Sequence, residues 1–176
     1  MHTTRVTRHV KAPPHAVYRA LTDPEAVAAW RVPAGMTARV HTFDAREGGA
    51  FRISLTYDDP ARAGKSGGRT DTYQGHFARL VPGALVVEVL AFETGDDTLL
   101  PTMTMTTTLT GAGDGTDVEI RHEGVPDAIA PRDNEQGTRT ALDNLARLVE
   151  GRRASAPEMT GKNSSAGGTR QGETRS

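Results

Sequence analysis

The sequence predicts an α+β domain in which a curved antiparallel sheet grips one long C-terminal helix. Three observations carry that expectation. From Met36 to Glu123 apolar residues recur with a period of two, in segments divided by glycine turns, as in hairpin-linked strands. From Pro131 to Glu150 the period becomes that of a helix. Only two short helical stretches near the N-terminus remain, so the sheet can be covered on one face alone and must curl to do it.

The C-terminal helix organises the rest. Thr138, Ala141, Leu142, Leu145, Leu148 and Val149 share one side of it, and Asn134 and Gly137 extend that side backwards. Its leucines and valine need a partner surface, each contributing roughly 1.5–3 kcal/mol when buried. Asn134, Gly137 and Thr138 are small or polar instead. A glycine inside a helix costs about 1 kcal/mol against alanine, so it usually has a packing reason. The pattern predicts a helix clamped to the sheet at its C-terminal end and standing over a space at the other.

The remaining elements follow in order. Val6 to Val10 reads as a short strand ended by Ala12-Pro13-Pro14, and His15 to Leu21 as a short helix. Asp23 and Pro24 start a second helix that carries Val27 to Trp30 and stops before Pro33. The strand Met36–Phe43 turns at Glu47-Gly48-Gly49 into the clearest alternation in the chain, with Phe51, Ile53, Leu55 and Tyr57 on the covered face. Asp58 to Arg69 is expected to be a mobile loop. Thr70 to Leu80 turns Tyr73 and Phe77 inward, with Gly75 between them at a close backbone approach or bulge. Leu85 to Phe92 is apolar on both faces apart from Glu88. Met103, Met105 and Leu109 oppose a solvent-facing row of threonines, and Val118, Ile120 and His122 share the inward face of the last strand.

Composition narrows the function classes. With 176 residues the chain is one domain's worth. The expected division is a folded domain over 1–151 and a tail, Arg152 to Ser176, too poor in apolar residues to order itself. A net charge of −1 without a basic stripe argues against nucleic acid. No cysteine is present, which removes disulfides and thiolate chemistry. No leader-like or membrane-spanning apolar run occurs, so a cytoplasmic location is expected. The histidines show neither H-x-x-x-H nor H-x-E spacing, and the glycines make no phosphate loop. No metal or other cofactor is expected.

Several segments together resemble a known family. Arg8-His-Val-Lys-Ala-Pro-Pro-His-Ala-Val-Tyr-Arg-Ala-Leu-Thr-Asp-Pro-Glu, then Trp30 with Pro33, then Phe43-Asp-Ala-Arg-Glu-Gly-Gly, resemble the opening of bacterial proteins similar to the C-terminal domain of the activator of Hsp90 ATPase. Tyr73-Gln-Gly75, Leu80-Val-Pro82, His122-Glu-Gly-Val-Pro126-Asp and Leu142-Asp-Asn-Leu145 match the later part. The resemblance covers about residues 5 to 151 and implies the helix-grip fold of the START and Bet v 1-like (SRPBCC) superfamily. Members of that superfamily commonly hold a hydrophobic ligand between helix and sheet, while others are cyclases or different enzymes. Two departures stand out. Where the family often has a second Trp and a Gly after the position of Trp30, this chain has Arg31 and Val32, and where it often has Gly-Trp in the last helix, Thr138 follows Gly137. Loss of that indole is expected to enlarge or wet the cavity mouth. The chain is expected to lack the N-terminal Hsp90-docking domain of the eukaryotic co-chaperone, so the family name alone licenses no co-chaperone role.

The expected ligand site is an apolar pocket formed by Trp30, Phe51, Ile53, Tyr73, Phe77, Met103, Met105, His122, Asn134, Thr138 and Ala141, taking a small apolar molecule. Trp30 reads first as the plug that closes the short helices onto the sheet and second as a wall. His122 shares the inward parity either as a ligand-orienting group or general base, or as a buried histidine hydrogen-bonded to backbone or one lying at the strand end. Glu88 points either into the cavity as a candidate acid or outward, or pairs with an arginine; parity does not decide. Asp71, near its strand start, is expected to be exposed. The competing enzyme reading uses His122 with Glu88 or Asp71 and requires them to converge, with Tyr73 as a donor. A third reading, a protein partner, leans on the family name.

Overall fold

The computed structural model describes residues 1–154. The tail beyond, expected to be disordered, lies outside the described residues. The elements run β1 (His2–Val10), α1 (Pro14–Thr22), α2 (Pro24–Trp30), β2 (Met36–Phe43), β3 (Ala50–Tyr57), β4 (Thr70–Val81), β5 (Leu85–Phe92), β6 (Met103–Ala112), β7 (Gly115–Val125) and α3 (Pro131–Ala154), with one 3-10 turn at Asp97–Leu99. The seven strands form one antiparallel sheet in the order β1-β7-β6-β5-β4-β3-β2. From β2 to β7 each strand pairs with its successor, and β1 crosses over to pair with β7. This is the α+β helix-grip architecture expected from the alternation and the terminal helix. One boundary moves, because α3 continues past Gly151 to Ala154.

Local chemistry explains the element ends. The Asp23 carboxylate accepts the Glu25 backbone N–H at 2.9 Å, capping α2, and Pro24 opens its first turn. Gly75 marks a close approach, since a Cβ there would stand 2.0 Å from the Val89 carbonyl oxygen. The register shifts between Phe77 and Arg79 on β4 and between Val40 and Thr42 on β2, where bulges add to the bend of the sheet. Leu142, Leu145, Ala146 and Val149 of α3 are buried in one core with Val6, Val10, Val118 and Ile120. Among the described residues no helix is long and apolar enough to cross a membrane.

Candidate functional site

The site is built on two registers of the sheet's covered face. Phe77, Glu88, Met105, His122 and Thr4 stand side by side across β4, β5, β6, β7 and β1. The row closes on α3, where the Thr4 hydroxyl donates to the Asn134 side-chain oxygen. Further along, Ile53, Tyr73 and Phe92 share a second row on β3, β4 and β5. Between this face and the N-terminal half of α3 lies a cavity of about 530 Å³. Asn134, Gly137, Thr138 and Ala141 line its helix side. A Cβ built on Gly137 meets nothing within 4 Å, so the glycine does face open space. Thr138 is buried and returns its hydroxyl proton to the Asn134 carbonyl at 2.8 Å.

The end of α2 supplies the charged part of the wall. The helix stops at Trp30, and the next two residues leave it, held by the Asn144 amide of α3, which donates to the Val32 carbonyl at 2.9 Å and the Trp30 carbonyl at 3.3 Å. Trp30 is buried and donates its indole N–H to the Ala20 carbonyl at 2.9 Å, so it is plug and wall at once. Arg31 turns into the protein, its guanidinium 5.1 Å from the Trp30 ring centroid. There it meets Glu88 in a two-pronged ion pair, Nη1 to Oε1 at 2.9 Å and Nη2 to Oε2 at 2.7 Å. The Glu88 side chain is 1 % exposed and that of Arg31 12 %. Glu88 therefore points inward and is matched by an arginine. Burial works against the charge of Arg31, but Glu88 outweighs it and holds the guanidinium pKa above its ordinary range.

His122 lines the same cavity. Burial, reinforced by the Arg31 charge, lowers its pKa to about 4, so the ring is neutral near pH 7. Its Nδ1 has no hydrogen-bond partner among the described residues, so the reading of a backbone-satisfied histidine is not met at that nitrogen. Tyr73 is 6 % exposed, its phenol pKa raised by burial, and its hydroxyl stands beside Arg31 without completing a well-formed hydrogen bond to it.

Of the expected pocket residues, Trp30, Tyr73, Met103, Met105, His122, Asn134, Thr138 and Ala141 line the cavity. Phe51, Ile53 and Phe77 are not on its wall. They are packed behind it in the core, Phe77 with its ring 5.3 Å from both Phe43 and Phe51, and Phe51 6.4 Å from Tyr73. Inward parity put them on the right face, but the curl of the sheet places that end of β3 and β4 beyond the cavity. Asp71 is a second correction. It is buried instead of exposed, because the loop 58–69 folds back and Lys65 gives it both its backbone N–H, at 2.6 Å, and its ammonium, at 2.5 Å. The loop expected to be mobile is thus tied down, with Lys65 5.3 Å from the Phe92 ring and both Lys65 and Arg62 on the cavity wall.

Arg31 is the important residue that the residue pattern did not single out as a site. The signal was present, since a lone glutamate in an apolar strand calls for a cation. Among the described residues no three His, Cys, Asp or Glu side chains gather as a metal site.

Comparison with known proteins places this geometry. The family model described as activator of Hsp90 ATPase homolog 1-like protein matches residues 11–150. A crystal structure of a protein from Chromobacterium violaceum is 36% identical, with 84% of this chain and 96% of that one covered and a TM-score of 0.75. An AHSA1-like protein from Aeromonas hydrophila is 19% identical over 86% of this chain and 94% of that one, at a TM-score of 0.65. A protein from Rhodobacter sphaeroides is 21% identical over 85% and 92%, at 0.70. At these lower identities the likeness is one of fold. No curated protein matches the chain.

Proposed function

We propose, for a chain that belongs to the activator of Hsp90 ATPase homolog 1-like family, that it binds a small, largely apolar molecule between α3 and the sheet. The observation that carries this reading is the cavity of about 530 Å³ itself, with Gly137 opening onto it. Ligand pockets of small molecules run from roughly 300 to 1,000 Å³ and are mostly apolar with a few polar groups. Here Trp30, Leu90, Phe92, Met103, Met105 and Ile120 supply the apolar wall. Met suits such a wall, because its unbranched side chain adapts to the shape it meets.

The acid–base alternative finds little support in the geometry. It needs a carboxylate converging with His122, but Glu88 is held by Arg31 and Asp71 by Lys65. His122 is left without a carboxylate partner on the cavity wall, suited to orienting a ligand.

Native mass spectrometry of freshly purified protein and titration with an environment-sensitive apolar dye test the proposal together. One bound molecule per chain is expected, and Gly137→Phe, which fills the open space, should reduce the affinity at least about tenfold. A folded protein that takes up no dye, or a variant that binds it as well as wild type, would overturn the reading.

A further inference from the structure

Among the described residues, three polar atoms of the cavity lining lack a hydrogen-bond partner: Arg31 Nε, the Tyr73 hydroxyl and His122 Nδ1. They come from the end of α2, from β4 and from β7, segments far apart in the chain that the fold brings to one wall. All three residues line the one cavity, and the Arg31 charge acts on both Tyr73 and His122. Buried polar groups are nearly always matched, so three unmatched together mark a place where a partner from outside belongs. Arg31 Nε is only a donor, the phenol donates as well as accepts, and a neutral imidazole carries one N–H. With the His122 proton on Nδ1, the set lacks an acceptor.

The charge balance says which kind. Arg31 already gives both terminal nitrogens to Glu88, and Lys65, elsewhere in the wall, is paired with Asp71. His122 is neutral near pH 7. A ligand carboxylate would be desolvated here beside a carboxylate that already occupies the arginine, while Arg62, the other cation of the lining, is exposed and lies over the Tyr57 ring. Resting on the binding reading above, we propose that this wall receives an uncharged oxygen acceptor, such as a ketone or ester carbonyl, carried by the apolar ligand, and rejects the corresponding carboxylate. The Tyr73 oxygen then accepts from Arg31 Nε–H and turns its own proton to the ligand carbonyl, whose second lone pair takes an N–H of His122.

Three probes of one shape separate the possibilities: methyl naphthyl ketone, isopropenylnaphthalene, in which a methylene group replaces the carbonyl oxygen, and naphthoate. Affinities are measured calorimetrically near neutral pH on wild type and on Tyr73→Phe. The ketone should bind wild type about tenfold more tightly than its hydrocarbon isostere, the gain of one or two matched hydrogen bonds. Naphthoate should bind more weakly than either. Tyr73→Phe should remove the greater part of the ketone's advantage, leaving the share that His122 supplies, and leave the isostere unchanged. Equal binding of ketone and isostere by wild type would overturn the inference, as would tightest binding of naphthoate. A ketone preference undiminished in Tyr73→Phe would overturn the role of the phenol. Should Tyr73→Phe fail to fold, the wild-type series still decides the class of ligand. Failure of all three probes would count against apolar binding in this cavity, a result distinct from binding without preference.

Discussion

Arg31 and Glu88 meet fork to fork inside the protein, one from the end of α2 and the other from the middle of β5. Neither residue makes sense alone. A buried carboxylate in an apolar strand is costly, and so is an arginine turned into the protein. Together they satisfy four polar atoms in the planar geometry that guanidinium and carboxylate share.

Removing one partner should therefore cost far more than removing both. Arg31→Met is expected to destabilise by about 3–5 kcal/mol in urea unfolding, because it strands Glu88 without a cation. The double variant Arg31→Met, Glu88→Leu should regain most of that loss. A single-variant loss below about 1 kcal/mol would mean that solvent already screens the pair.

Gly137 offers a gain in stability. Its Cβ position is empty space and α3 continues on both sides, so Gly137→Ala should stabilise by about 0.5–1 kcal/mol through backbone entropy alone. Destabilisation in a denaturant titration would show that the space beside the helix is filled.

Leu145 is the opposite case. It is fully buried at the centre of the α3 face, and Leu145→Ala should lose about 2–5 kcal/mol through transfer and cavity effects. An unchanged denaturant midpoint would contradict the packing of α3 on the sheet.

Two histidines should titrate in opposite directions. His122 is held at about 4 by burial and by Arg31. Between the unfolded value of about 6.5 and that pH the unfolded chain binds a proton that the folded one refuses. Its contribution to stability is thus complete above the unfolded value and declines as pH falls through this window. Exposed His9 bonds Asp117 and Asp114, at 2.7 Å and 2.9 Å, and its pKa is raised. Its small contribution is present below the unfolded value and lost as pH rises through the folded one. An NMR titration of the histidine ring protons checks both, and a His122 midpoint near 6.5 would rule out its burial beside Arg31.

The sequence by itself determined the fold class, the strand order from β2 to β7, the family and the space beside Gly137. These rest on local signals: alternation within strands, Asp23 and Pro24 at the start of α2, and small residues on one helix face. It also placed Met103, Met105 and His122 on the covered side, since parity along a strand needs no neighbour. Only the tertiary structure decided the rest. Glu88 lay in a strand apolar on both faces, so its direction depended on which partner the fold would bring, and the end of α2 brought Arg31. Asp71 read as exposed because its cation, Lys65, reaches it through a loop whose path no periodicity describes. Phe51, Ile53 and Phe77 shared the inward parity of the cavity residues but not their position, because the curl of the sheet is a property of seven paired strands and not of any one.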